Sequence, residues 1–146
     1  EPQLQLVSLN DRVAACKMFM ETVCRNRNIT LHLTLCDENP HVRMDTSLFE
    51  QVLVNIIKNA AESIGEEGNI FIRTSVFPTM LEIADTGAGI SKEVEAKLFS
   101  PFFSTKPNGQ GIGLIFIREV LMKHGCTFSL RTYSDGLTRF RIRFSA

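Results

Sequence analysis

The chain has 146 residues, of which 44% are hydrophobic and 22% charged, and its 16 acidic residues balance 16 basic ones. A neutral chain of this length suits one compact domain without a global attraction for nucleic acid or an anionic membrane surface, so we expect neither as a partner. No apolar run approaches the roughly 20 residues that a membrane-spanning helix needs.

The first residues and the cysteines indicate a cytoplasmic domain. Because the chain begins at Glu1 without a methionine or a signal-peptide pattern, we interpret it as a single domain cut from a longer protein, which could itself be membrane-anchored. No two cysteines form a C-x-x-C pair, so small apolar thiols in a reducing compartment are favoured over a zinc site. The cysteines are Cys16, Cys24, Cys36 and Cys126.

The first predicted elements are a short edge strand and a helix. Residues 4–9 are predicted to form the strand, and Asn10 or Asp11 is predicted to cap a helix that runs to about Arg27. Apolar side chains at helical spacing support this helix: Val13, Cys16, Met20 and Val23.

The next segment, 29–35, alternates apolar and polar residues, as does a strand with one buried face. His32 falls on the polar face, and we expect it to be solvated. His41 follows a proline and is expected in a turn, while His124 precedes a glycine at the predicted end of a helix, a common place for a capping cation. We therefore interpret all three histidines as structural.

A second helix is predicted from about Thr46 to Ile64. Asp45 and Ser47 are both candidate N-caps, and Ser47 with Glu50 fits the S-x-x-E capping box. Two glycines shortly after the last apolar residue mark the end of the helix.

The remaining elements complete the predicted fold. Their ranges are strands 69–76 and 79–85, a short helix near 92–98, a loop at 99–110, a helix at 111–124, and strands 126–132 and 138–144. In the last strand Arg139, Arg141 and Arg143 alternate with apolar residues, and we expect them on a solvated face. The pattern predicts an α/β (α+β) two-layer sandwich, in which three helices cover one face of a mixed sheet of about five strands.

The second helix carries two asparagines one turn apart on its polar face. At about 100° per residue, its polar stripe comprises Gln51, Asn55, Lys58, Asn59 and Glu62, and its apolar stripe comprises Phe49, Leu53, Ile57, Ala60 and Ile64. Asparagine is a mediocre helix former, but its carbonyl oxygen suits Mg²⁺ and its amide can donate to phosphate. Taken alone, the pair favours a plain polar face.

Asp85 ends an apolar strand and shares the parity of Leu81 and Ile83, so its carboxylate is predicted to point toward their buried side. A buried carboxylate needs a hydrogen-bond donor, and the amino group of adenine would serve. Gly87 and Gly89 allow the following backbone to turn tightly and to approach a ligand. The alternative is a strand end and an ordinary turn, which would leave Asp85 exposed.

A third group of residues lies in and after the loop at 99–110. Phe102 and Phe103 either anchor a mobile lid at about 100–110 or belong to the core, and Lys106 has the reach to contact a phosphate. Three glycines lead into the next helix, whose N-terminal N–H groups and macrodipole would attract an anion. These glycines are Gly109, Gly111 and Gly113. Neither the dinucleotide fingerprint nor the phosphate-loop pattern fits.

Together, in this order and spacing, the motifs resemble the ATP-binding domain shared by histidine kinases, gyrase, MutL and the heat-shock chaperone ATPases, known as the Bergerat fold. The resemblance covers nearly the whole chain. Its motifs are an N-box at 50–62, a first glycine box at 85–90, an F-box at 99–106, a second glycine box at 109–114 and a last box at 136–138. The short lid and the Pro-Phe-Phe-Ser-Thr-Lys run are most similar to nitrogen-regulation and sporulation-type sensor kinases.

This resemblance implies ATP and Mg²⁺ as cofactors. Asn59 would ligate Mg²⁺, and Asn55 would contact phosphate or a metal-bound water. Asp85 would bind the adenine amino group, with Thr138 and Gly89 supporting the base. Further residues implied in nucleotide binding are Lys58, Gly87, Ile90, Phe103, Thr105, Lys106, Gly109, Gly111, Gly113 and Leu114.

Two positions depart from the pattern of the family that this chain resembles. Many members carry a basic residue at the position of Glu62, so Lys58 or Lys106 is expected to contact phosphate instead. ATPases of this fold place a glutamate, the general base, where this chain has Asn55, and an amide cannot take a proton from water. The resemblance therefore implies a histidine kinase, with Asn55 and Lys106 in catalytic roles, that delivers the γ-phosphoryl group to a partner instead of hydrolysing ATP quickly.

The nucleophile is expected on another domain, because no histidine here lies in a phosphoacceptor context. The resemblance implies two partners, a histidine-bearing dimerisation domain of the same protein and the receiver domain of a response regulator. Alternatives are a hydrolysing ATPase or a serine kinase of the same fold, and a degenerate nucleotide-binding module. Because Asp85-Thr86-Gly87 is also typical of retroviral-type aspartic proteases, a dimeric protease is a remote alternative, which the predicted helices disfavour.

Overall fold

Seven strands and four helices form within residues 1–99 and 112–145, the part of the chain that the computed structural model describes. The strands are β1 (Gln5–Ser8), β2 (Ile29–Thr34), β3 (His41–Met44), β4 (Gly68–Ser75), β5 (Met80–Asp85), β6 (Thr127–Thr132) and β7 (Thr138–Arg143). The helices are α1 (Leu9–Arg25), α2 (Thr46–Ile64), α3 (Lys92–Glu95) and α4 (Ile112–Lys123). Every predicted element is present near its expected bounds, and β3 is additional.

The five-stranded sheet has the order β2-β4-β5-β7-β6, and β1 and β3 form a separate antiparallel pair. β2 and β4 run parallel, whereas the other neighbours in the large sheet are antiparallel. Helix α1 packs on β2 and α2, and α2 packs on β5 and α4. The predicted two-layer sandwich with a mixed five-stranded sheet is confirmed.

Cross-strand register places the apolar side chains of the sheet on the face that the helices cover. Leu81 lies opposite Ile142, and Ile83 lies opposite both Ile72 and Phe140. Helix α2 adds a broader buried face than the predicted apolar stripe. Its buried residues are Phe49, Val52, Leu53, Ile56, Ile57, Ala60 and Ala61. A one-residue slip of a central strand would expose its whole apolar set, so this packing fixes the register.

The start of α1 differs from the prediction. The N-cap is Ser8, whose hydroxyl accepts a hydrogen bond from the Asp11 N–H at 3.1 Å. Asn10 is buried instead, where it donates to the Cys36 carbonyl at 2.8 Å and accepts from the Thr74 hydroxyl at 2.7 Å. Asn10 therefore ties α1 to the sheet and is unavailable as a cap.

The predicted turn at His41 is wrong, because His41 begins β3. This strand of four residues pairs with β1, with Ser8 opposite His41. Its side chains alternate between exposed and buried. So short a strand gives a weak pattern by itself, and its hydrogen bonds come from a segment more than thirty residues earlier in the chain.

Asp45, one of the two predicted candidates, caps α2, and its carboxylate accepts from the Leu48 N–H at 3.1 Å. The alternative capping box at Ser47 and Glu50 is wrong. His124, at the end of α4, receives the Asp45 N–H at Nε2 over 2.9 Å and donates from Nδ1 to the Val120 carbonyl over 2.8 Å. Because Nε2 acts as an acceptor here, His124 is a neutral link between α4 and α2 and not a capping cation.

On the outer face of the sheet, arginines form ion pairs and ring contacts instead of standing free in solvent. Glu82 is 7% exposed and pairs with Arg141 at 2.8 Å and with Arg73 and Arg139 at 3.5 Å. The Tyr133 ring lies 4.7 Å from the Arg141 guanidinium and 4.9 Å from that of Arg139. The expectation of solvated arginines therefore fails at Arg139, because the buried carboxylate and the ring hold its guanidinium.

The cysteines are free thiols, as predicted, and Cys16, Cys24 and Cys126 are buried. Burial raises the pKa of Cys16 to about 12 and that of Cys126 to about 11, so both act as small apolar packing groups. Among the helices of the described residues, none has the length and apolar character needed to cross a membrane.

Candidate functional site

Three strands bring polar side chains together at one end of the sheet. β5 ends at Asp85, β7 begins at Thr138, and β6 ends at Thr132. In the antiparallel register Thr138 lies directly opposite Asp85 on one side and Thr132 on the other. Side chains in such pairs are about 5 Å apart at Cβ. Residues distant in the sequence therefore form one cluster.

Asp85 lies on the buried face of the sheet, as predicted, and is only 5% exposed. Burial raises the pKa of its carboxyl group to about 6, and the Gly87 N–H, which donates to Oδ1 at 2.8 Å, opposes part of that rise. Removing a carboxylate from water destabilises its charged form unless donors replace the lost water. A ligand that brings an N–H donor to Asp85 would gain from this arrangement. The alternative of an exposed Asp85 is wrong.

The glycine turn after Asp85 is held against α2. A Cβ added at Gly87 would lie 2.8 Å from the backbone carbonyl carbon of Ser63, so a side chain has no room there. The Ala88 N–H donates to the Ser63 carbonyl at 3.4 Å. Gly89 has a φ of +83°, a conformation that other L-residues adopt rarely. Both predicted glycines are therefore required by the backbone path, which supports a tight turn at this edge.

Thr132 completes the cluster, although the sequence analysis did not identify it. Its hydroxyl oxygen accepts from the Ile90 N–H at 2.8 Å and lies 2.7 Å from the Thr138 hydroxyl. Its own N–H donates to the Glu95 carboxylate at 3.1 Å. The available signal was strand parity, since Thr132 shares a face with Leu130, but the threonine ends a strand without any surrounding motif.

Helix α2 carries the asparagine stripe toward the same turn. Asn55, Asn59 and Ser63 are four residues apart and lie on one face of the helix. Ser63 contacts the glycine turn, so Asn59 and Asn55 lie about 6 and 12 Å from it along the helix axis. Both asparagines are half-buried, while Lys58 and Glu62 are exposed. The stripe is thus continuous with the Asp85 cluster.

Other predicted site residues are near the start of α4 or outside the described part of the chain. Gly113 and Leu114 are half-buried in the first turn of α4. A Cβ at Gly113 would meet nothing within 4 Å, so packing among the described residues does not require this glycine. The lid at about 100–110 and five site residues lie outside the described residues: Phe103, Thr105, Lys106, Gly109 and Gly111.

The amide oxygens of α2 suit a metal ion that enters bound to an anionic ligand better than a metal ion held permanently by the protein. Within residues 1–99 and 112–145, no group of three or more His, Cys, Asp or Glu side chains is placed to hold a metal ion. Asn55 and Asn59 offer neutral amide oxygens, which are hard ligands of the kind that Mg²⁺ accepts. Mg²⁺ commonly takes one or two protein ligands and completes its shell with water and substrate phosphates.

Residues 44–146 match the family described as "Histidine kinase-, DNA gyrase B-, and HSP90-like ATPase". The chain belongs to this family. The matched range includes α2, the glycine turn and the threonine pair, so the clustered polar residues lie within the ATPase-family domain. The helices that the structure describes within this range, together with the family match, argue against the aspartic-protease alternative.

Relatives of this ATPase-family domain include sensor kinases. The C4-dicarboxylate transport sensor protein DctS of Rhodobacter capsulatus is 32% identical over 97% of this chain, which spans only 22% of the length of DctS. The catalytic domain of the histidine kinase ThkA superimposes with a TM-score of 0.87 at 28% identity, covering 97% of this chain and 95% of that domain. ThkA in complex with the response regulator protein TrrA gives a TM-score of 0.78 at 27% identity, covering 97% of this chain and 42% of that one.

Proposed function

We propose that this domain binds Mg·ATP at the Asp85 cluster and donates the γ-phosphoryl group to a histidine on a separate dimerisation domain. The observation that carries the proposal is the buried Asp85 carboxylate, which lies next to a glycine turn and opposite Thr138. An adenine amino group would donate to this carboxylate and offset its lost hydration. Family membership supports ATP as the nucleotide.

The phosphates would extend from this cluster along α2. Asn59, one turn from the glycine turn, would ligate Mg²⁺, and Asn55 would contact phosphate or metal-bound water. Lys58 is exposed on the same helix and has the reach to add a point charge. Mg²⁺ would supply charge neutralisation on the phosphate oxygens. Lys106, Gly109 and Gly111 enter this proposal through the family resemblance alone.

The proposed reaction is transfer and not hydrolysis. A histidine nitrogen of the partner domain would form the new bond to the γ-phosphorus as the bond to the bridging oxygen of ADP breaks. Phosphoryl transfer depends mainly on positioning and charge neutralisation, so it needs no base from this chain. The amide of Asn55 cannot activate water as a carboxylate would.

The relatives support the proposed partners. ThkA has been observed in complex with TrrA, a response regulator protein. We propose that a receiver domain of this class accepts the phosphoryl group from the dimerisation domain that this domain phosphorylates. Because ATP is an intracellular metabolite, the domain would work on the cytoplasmic side of any membrane to which its parent protein is attached.

The deciding experiment is calorimetric titration of the chain with a non-hydrolysable ATP analogue, with and without Mg²⁺. The wild type is expected to bind, with higher affinity when Mg²⁺ is present. Asn59→Ala is expected to lose that gain, which should amount to roughly tenfold in affinity. The matched control is Gln51→Ala, which removes an exposed amide about 12 Å from Asn59 along the same helix.

Two results would contradict the proposal. Absence of binding by the folded wild type would remove the nucleotide site altogether. Rapid ATP turnover by the isolated chain would indicate a hydrolysing ATPase of the same family, and the argument from Asn55 would then be wrong.

A further inference from the structure

The order of protons in the Thr132–Thr138 pair bears on which base the cluster accepts. We propose that Thr132 is a positioning residue that makes the Thr138 hydroxyl a hydrogen-bond donor toward the base, and thereby makes the site prefer adenine to guanine. This inference rests on the proposed nucleotide function and adds the residue that sets base specificity.

A single hydrogen bond joins the two hydroxyls, and only one of their two protons lies between the oxygens. A hydroxyl has one proton and two acceptor positions. The Ile90 N–H occupies one acceptor position of Thr132 Oγ1, at 2.8 Å, and the 2.7 Å separation from Thr138 Oγ1 requires that one threonine donates to the other. The proton of the other hydroxyl then points away from the pair, and the surroundings decide which of the two threonines carries it.

The environment favours Thr132 as the donor within the pair. Thr138 is the cross-strand neighbour of Asp85 in the β5–β7 register, whereas Thr132 lies one strand further from Asp85, on the far side of Thr138. A negative charge attracts a free hydroxyl proton, so the free proton is more stable on Thr138 than on Thr132. Thr138 is therefore left with its own proton available.

This order gives an acceptor and a donor side by side. The Asp85 carboxylate accepts, and the Thr138 hydroxyl donates. Adenine presents an amino donor next to a ring-nitrogen acceptor, which complements the pair. Guanine presents an oxygen acceptor, which the Asp85 carboxylate repels, next to a ring N–H donor. The Thr138 hydroxyl could accept from that N–H only by turning its own proton away from the base.

The test measures the ratio of ADP to GDP affinity by calorimetry for the wild type, Thr132→Val and Thr132→Ser. Valine keeps the shape of the side chain and removes the hydroxyl, so Thr138 can then orient its proton either way. We expect Thr132→Val to reduce the preference for ADP by roughly tenfold, and Thr132→Ser to keep it. Thr127→Val, at the other end of β6 and exposed, is the control for losing a threonine hydroxyl from this strand and should leave the ratio unchanged.

The outcomes separate this inference from the proposed function. Equal losses of ADP and GDP affinity in Thr132→Val, with an unchanged ratio, would make Thr132 a structural residue only and overturn the inference. Absence of ADP binding by the wild type would instead overturn the proposed function. Thermal melting checks that each variant is folded, and Thr132→Ala, which leaves space and does not crowd the turn, gives the same test if the valine variant is unfolded.

Discussion

At the scale of single residues, Asp85 combines burial with a titratable group. Its pKa is raised from 3.8 to about 6, mainly by burial, so the folded state holds its proton more tightly than the unfolded chain does. The carboxyl group therefore favours folding below its unfolded pKa, and this contribution is lost as the pH rises from about 4 through about 6. Above that window the domain is folded around an unfavourably placed charge.

We expect Asp85→Asn to stabilise the domain by about 2 kcal/mol at pH 8 and by little at pH 4, because the amide removes the buried charge. Urea denaturation at both pH values measures the difference. Asp135→Asn is the contrasting variant: hydrogen bonds from Arg139 and the Leu137 N–H lower the pKa of Asp135, so its removal should destabilise above pH 4. A loss of stability in Asp85→Asn at pH 8 would contradict this account.

A gain of stability from Asp85→Asn would also bear on function. Functional sites often retain groups that reduce the stability of the free protein. If the same variant loses affinity for the ATP analogue, the buried carboxylate is retained for the ligand. The stability of the free domain and its affinity for nucleotide would then depend on the same side chain in opposite directions.

At the scale of elements, the sequence leaves two candidates for the N-cap of α2, Asp45 and Ser47, and the structure identifies Asp45. The Asp45 carboxylate accepts from the Leu48 N–H at 3.1 Å and from the Gln3 N–H at 2.9 Å. We expect Asp45→Ala to lower the free energy of unfolding by clearly more than the control below, since both donors lose their acceptor. Chemical denaturation measures it, and Ser47→Ala is the control, with a change below about 0.5 kcal/mol. Equal losses of stability in the two variants would instead support Ser47 and Glu50 as a capping box.

Long elements were predicted well because their periodicity is strong. The range of α2 matches the prediction at both ends, and β4 and β5 match within a residue. The helix starts and β3 were harder. Ser8 caps α1 because Asn10 is engaged by Thr74, and β3 depends on pairing with β1. Neither partner is near in the sequence, so local pattern could not reveal these contacts.

At the scale of the whole molecule, Glu82 connects three strands on the outer face of the sheet. It lies on β5 and pairs with Arg73 of β4 and with Arg139 and Arg141 of β7. The Glu82 side chain is 9% exposed and that of Arg139 is 17% exposed, whereas the side chains of Arg73 and Arg141 are 55% and 36% exposed. Without its charge, the guanidinium groups would repel one another across the sheet.

We expect Glu82→Gln to destabilise the domain by about 1 kcal/mol, because three arginines lose a shared counter-charge. The loss stays modest because Arg73 and Arg141 are partly exposed and Arg139 also pairs with Asp135 at 2.7 Å. The loss should shrink in high salt, which screens the remaining repulsion. Denaturation at low and high salt measures both effects. Glu119→Gln breaks the exposed pair with Arg118 and should change stability by less than about 0.5 kcal/mol. A salt-independent loss in Glu82→Gln would contradict this account and indicate that lost hydrogen bonds, and not charge, are responsible.

The sequence by itself determined the fold class, the asparagine stripe and the buried position of Asp85. Each of these depends on a local period of 3.6 or 2 residues, which sets the face on which a side chain lies. The tertiary structure decided which of those faces meet. Thr132 reaches Ile90 and Thr138 only because β6 and β7 pair in one register, and Ser63 meets the glycine turn only because α2 packs on β5. Such contacts join distant segments, and periodicity within one segment carries no information about them.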